Sequence, residues 1–227
     1  MTDTILLILA LVPCLVIAIV FHEVAHGWTA LALGDPTAKE QRRLSLNPIR
    51  HVDPVGTLIV PGALAFFGGP IFGWAKPVPV NRRRLDNPRY GMMAVAAAGP
   101  ATNLLLAGVG AVVLGLLARG LTAPPEGLLA FTFMALQYFL MINIFLALFN
   151  LLPIPPFDGS HIVEGLLPRS MAEQYARLQQ VGMFLLIALI AVTWAFPDSG
   201  IIENVVLPPV EWLQEKYLAL AFKIAGG

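Results

Sequence analysis

Apolar residues along this chain come in long unbroken runs, not in the alternation of a half-buried strand. Four runs, 4–33, 91–118, 128–152 and 178–196, each supply about the 20 residues a helix needs to cross about 30 Å of hydrocarbon. A fifth, 55–75, is apolar but holds Gly56, Pro61, Gly62, Gly68, Gly69, Pro70 and Gly73. That many breakers argue against a straight helix. The last apolar stretch, 203–223, is interrupted by Pro208, Pro209, Glu211, Glu215 and Lys216. It is expected to be an amphipathic helix that lies at the interface or spans.

Polar positions orient these runs. Lys39, Arg42, Arg43 and Arg50 precede 55–75, and Lys76, Arg82, Arg83, Arg84 and Arg89 follow it. A spanning 55–75 would put the two basic clusters on opposite sides, against the positive-inside rule. The stretch is therefore expected to be re-entrant, which implies a covered, water-filled cavity. Both clusters then face the cytoplasm, as does the loop 153–177 with Arg169 and Arg177. Two short flanking runs, 41–46 and 76–80, read as strands. Pro77 and Pro79 mark a sheet edge, so a small β-sheet is expected at the cytoplasmic mouth. The fold class is thus all-α integral membrane: a polytopic helical bundle with a re-entrant segment and that small sheet. It is read as one membrane-embedded domain, 1–227.

Composition narrows the function. Of 227 residues, 57% are hydrophobic and 12% charged, about half the charge of a soluble domain. An ordinary soluble enzyme and a disordered chain are both excluded. Lys+Arg and Asp+Glu are both 14, so no basic excess exists for nucleic acid. The single cysteine, Cys14, excludes an intrachain disulfide and reads as a small core residue. No cleavable signal peptide is expected, because the first apolar run is too long and lacks a basic flank.

The chemistry sits where it is costly. His22-Glu23-Val24-Ala25-His26 is an H-E-x-x-H inside an apolar run. Residues four apart share a helix face, so His22 and His26 can bind one metal ion, while Glu23, one position round, can serve a metal-bound water as general base. Ionisable groups in a membrane helix usually mark function. Zinc suits such ligands, with iron or cobalt open on ligand type alone, and a third protein ligand is needed. Asp158, after the proline-rich 150–157, is the candidate, on backbone the prolines unwind. Its alternative role is a helix cap.

These motifs resemble those of the site-2 proteases, the intramembrane zinc metalloproteases. The likeness rests on H-E-x-x-H at 22–26 and on N-x-x-P-x-P-x-x-D-G at 150–159. Ala98-Gly99-Pro100-Ala101-Thr102-Asn103 is similar to the family's small-residue segment ending in asparagine. His51-x-Asp53-Pro54-x-Gly56-Thr57 and the run 73–81 are similar to a compact bacterial and archaeal branch. The resemblance implies one zinc on His22, His26 and Asp158, with Glu23 as catalytic base and then proton donor. It implies that Asn103 lines the cleft and stabilises the transition state or holds substrate, with Asn150 nearby. It further implies a transmembrane-helix substrate that must unwind, and a site in a prokaryotic cytoplasmic membrane open to the cytoplasm. Room for a homodimer remains. No PDZ-like or nucleotide-sensing module fits this chain.

The remaining polar groups are read more plainly. Asn143 is expected to bond between helices. His51 and Asp53 act at the cavity mouth or pair within a loop. His161 follows Asp158 closely, but three ligands already suffice without it. The rival function is a membrane metal transporter or a metal-binding scaffold without proteolysis, but 178–196 offers no acidic or histidine path.

Overall fold

The computed structural model describes residues 2–66, 73–196, 200 and 202–227. Nine α-helices are described: α1 (Thr2–Ala32), α2 (Thr37–Glu40), α3 (Val60–Phe66), α4 (Pro88–Ala118), α5 (Gly127–Asn150), α6 (Asp158–Leu166), α7 (Arg169–Ala176), α8 (Gly182–Ala195) and α9 (Leu207–Ala225). Among the described residues, four helical stretches are long and apolar enough to cross a membrane: Thr4–Ala32, Pro88–Ala118, Gly127–Asn150 and Arg169–Val192. They match the four runs read from the sequence, with shifted ends. The third stops at Asn150, ahead of Pro153, Pro155 and Pro156. The fourth starts earlier, because α7 leads through a 3-10 turn, Arg177–Val181, into α8.

Helix α4 packs against α1, α5, α6 and α9. Its buried positions are mostly small: Gly91, Ala96, Gly99, Ala107, Gly110, Ala111 and Gly115. Small residues let helix backbones approach closely, which is how helices pack when the surrounding lipid is itself apolar. Large side chains point outward instead, including Leu105, Val109 and Leu116 on α4 and Ile5, Ile8, Leu9 and Val12 on α1. The core joins Ala107, Ala111 and Leu114 to Leu140 and Ile144 of α5 and to Val210 and Ala221 of α9. A Cβ at Gly115 would lie 2.5 Å from the Ala221 carbonyl oxygen. The Tyr217 hydroxyl donates to the Leu104 carbonyl at 2.9 Å. The 203–223 stretch therefore forms a helix laid along α4.

The Gly/Pro-rich stretch begins helically. Asp53 accepts from the amides of Val55 and Gly56 and caps a π-helical turn, Pro54–Ile59, which α3 continues. Residues 67–72 of the re-entrant stretch lie outside the described residues. Its two flanks meet: the Trp74 amide donates to the Gly56 carbonyl at 3.0 Å, and the Thr57 hydroxyl donates to the Trp74 carbonyl at 3.0 Å.

The expected small β-sheet is not present. No strand occurs among the described residues. Residues 73–81 hold no regular secondary structure and bind other partners. Pro77 and Pro79 have no N–H to give a ladder. The Lys76 amide goes to the His51 carbonyl at 2.9 Å and the Val78 amide to Glu23 Oε2 at 2.7 Å. The Asn81 amide goes to Asp35 Oδ2 at 2.6 Å. Buried Arg43 donates through Nη2 to the Lys76 carbonyl at 2.7 Å. The segment is a strap across the helices, fixed by side chains and loop carbonyls where a sheet would use a neighbouring strand.

Candidate metal centre

Helix α1 carries His22 and His26 on one face, with their rings edge-to-face and centroids 4.6 Å apart. Asp158 reaches them from the start of α6. The prolines after Asn150 end α5, but Asp158 is not on unwound backbone: it is the first residue of the next helix. Gly159 permits this corner, because a Cβ there would lie 2.3 Å from the Leu151 carbonyl oxygen. Asp158 Oδ2 then stands 3.1 Å from His22 Nε2 and 3.3 Å from His26 Nε2.

Tautomers follow from the groups behind the rings. The Asn103 amide nitrogen donates to the Ala18 carbonyl at 3.1 Å and to Asn143 Oδ1 at 2.8 Å. Its oxygen therefore faces His22, whose Nδ1–H donates to it at 2.6 Å. His26 Nδ1–H donates to the Val95 carbonyl at 2.7 Å. Both rings thus turn an Nε2 lone pair toward the same carboxylate oxygen. Three acceptors that converge in this way could hold a cation between them, and two neutral imidazoles with a carboxylate suit zinc. One ligand atom from each of His22, His26 and Asp158 lies within 4.8 Å of the others. Gly99 clears the space in front of the rings: a Cβ there would sit 2.6 Å from His22 Nε2 and from His26 Cε1.

A cavity of about 340 Å³ opens beside this group, walled by His22, Glu23, His26, Asp158, Asn150 and the strap at Pro77 and Val78. Glu23 is half-buried there. Asn150 also faces the cavity and ties its own Nδ2 to the Leu146 carbonyl at 2.9 Å. Asn103 is placed differently: it is fully buried behind His22, outside the cavity wall, with its amide occupied on both sides. Asn143 accepts from it between helices. His51 is buried in the loop and donates to the Ser45 carbonyl at 2.7 Å. His161 lines the cavity outside the three-residue ligand group.

Asp35 supports the site and drew no sequence reading, and the strap anchor Arg43 was read only as part of a basic cluster. Asp35 is fully buried after α1, where it accepts from the Thr37 amide and hydroxyl as well as from Asn81. Burial pushes its carboxyl up, but the Thr37 hydroxyl and the Asn81 and Thr37 amides outweigh this and hold it below the ordinary carboxylate range.

The donor set fits a membrane metallopeptidase: two histidines on a helix of membrane-spanning length and an aspartate at the start of the short α6. The chain belongs to peptidase family M50, whose sequence profile matches residues 10–191. It is 39% identical to the Bacillus subtilis protein named "Putative zinc metalloprotease YwhC", over 85% of this chain and 89% of that one. It is 28% identical to "Putative zinc metalloprotease Rip2" of Mycobacterium tuberculosis, over 82% of this chain and 72% of that one. The Mycolicibacterium smegmatis protein of the same name is 26% identical, over 79% and 70%. No solved structure matches. The chain is a metalloendopeptidase and an integral membrane protein.

Proposed function

We propose that this chain is an intramembrane zinc protease that hydrolyses a peptide bond within or beside a transmembrane segment of another membrane protein. The observation that carries the reading is the convergence of His22, His26 and Asp158 on one point, beside Glu23, between helices of spanning length. One zinc held by these three would supply Lewis acidity, polarising the scissile carbonyl and acidifying the attacking water.

The chain's own groups do the rest. Glu23 takes a proton from the attacking water and passes it to the leaving nitrogen. Its Oε2 is held by the Val78 N–H, which leaves Oε1 for that proton. Asn103 and the Val95 carbonyl orient the two imidazoles. Asn150, on the cavity wall, would bond the substrate backbone. The substrate must unwind locally, because a helical carbonyl is already hydrogen-bonded and shielded. The basic clusters flanking 55–75 support an opening toward the cytoplasm of a prokaryotic cell.

The test is zinc per purified chain by elemental mass spectrometry, with cleavage of a co-expressed single-span protein. About one zinc in the wild type and far less in Asp158→Ala is expected, with cleavage lost in Glu23→Gln. Cleavage by Glu23→Gln would sink the reading.

A further inference from the structure

His161 stands on α6 one turn beyond Asp158, so the two share a face, and its ring forms part of the cavity wall. The ring's tautomer is fixed by a chain of partners running outward. Arg82 Nη1 donates to Oε1 of the buried Glu164 at 2.6 Å in an ion pair. A carboxylate only accepts, so the group 2.9 Å from Glu164 Oε2 is the Gln179 amide nitrogen. That nitrogen spends its second hydrogen on His161 Nδ1, at 3.1 Å. The direct approach of His161 Nδ1 to Glu164 Oε2, 3.6 Å, is too long for a hydrogen bond. His161 Nδ1 is therefore an acceptor and its proton sits on Nε2.

We infer that His161 is a further catalytic residue of the protease reaction proposed above, donating its Nε2–H to the scissile carbonyl oxygen as negative charge develops there. Gln179, Glu164 and Arg82 are positioning residues acting through it. The wall that carries the third metal ligand thus also supplies a donor, and a preorganised donor to such an oxygen typically contributes about 100- to 1,000-fold in rate. The inference rests on the protease reading, and its test separates the two.

The first measurement needs no turnover. Nitrogen-15 NMR of the full chain in micelles, labelled at its 4 histidines, assigns His161 by the signal lost in His161→Asn. The Nε2–H tautomer is expected in the wild type, becoming a mixture in Gln179→Leu. An Nδ1–H tautomer in the wild type overturns the inference. The second uses a single-span peptide that the wild type cuts. His161→Leu should lower kcat about 100-fold, with KM and zinc per chain unchanged, and His161→Gln, which keeps a donor, should recover part of the loss. Unchanged kcat, a change in KM alone, or loss of zinc overturns it. Glu23→Gln is run beside these: if it still cuts, the protease reading fails, whereas a dead Glu23→Gln with a fully active His161→Leu sinks only the role of His161.

Discussion

Asn103 Oδ1 lies 2.6 Å from His22 Nδ1, although the two residues are 81 positions apart. With its nitrogen engaged by Ala18 and Asn143, the amide cannot turn to present a donor to the ring. Replacing it with leucine frees the ring and its tautomer. Asn103→Leu should weaken zinc binding about 10- to 100-fold, the usual cost of removing such a partner. Competition against a chelator of known affinity measures this.

Gly99 tests the space in front of the rings. Gly99→Ala places a methyl 2.6 Å from His22 Nε2, where the rings must shift or the ion must leave. The variant should purify with well under one zinc per chain by elemental mass spectrometry. A full complement of zinc would show that the rings give way freely.

Val78 tests the hold on Glu23. Val78→Pro deletes the N–H that Glu23 Oε2 accepts, besides fixing φ and replacing a buried side chain, whereas Val78→Ala keeps the N–H and truncates the same side chain. A hydrogen bond to a charged group contributes about 1.5–3 kcal/mol, or about 10- to 100-fold in rate if it is fully expressed in the transition state. Val78→Pro should lower kcat by that order with zinc unchanged, and Val78→Ala should stay close to wild type. Steady-state kinetics on a cleavable single-span peptide separates them.

Asp35 makes stability depend on acid. Its folded carboxyl is held low, so its contribution is complete above the unfolded value of about 3.9 and is lost as pH falls through the folded value. Asp35→Asn turns an amide donor or a poorer acceptor toward Thr37 and Asn81, and should cost about 1–3 kcal/mol at neutral pH. Unfolding midpoints of the two proteins in detergent, followed from pH 7 downward, should converge below about pH 4.

Much of this architecture could be read from residue order alone. The four runs declare helices, because nothing else satisfies the backbone over that length in lipid. The His22–Glu23–His26 spacing declares a shared face. Asp158 needed the proline run and Gly159 to stand out, and even so its start of a new helix was hidden. The expected sheet failed for an instructive reason. Extended residues with prolines look like a strand edge, but the partners of the strap are the Glu23 and Asp35 carboxylates, the Arg43 guanidinium and loop carbonyls. A backbone amide bonded to a carboxylate 46 positions away leaves no periodic trace. Asn103 was legible only through its motif, which gives its position but not its partners. His161 was legible as a histidine near the site, while its tautomer depends on Gln179 and Arg82 from other elements.

The span between the ligands has a mechanical meaning. His22 and Asp158 are 136 residues apart, so an ion held between them closes most of the family-matched chain into a ring. Closing a loop of that size costs entropy that grows only with the logarithm of its length, so the ion's binding energy goes largely into clasping α6 to α1. Loading an ion would then also tighten the fold. Helix α6 also packs against α4, so stripping the metal should loosen the α6 corner without releasing it, and before any spanning helix parts from its neighbours.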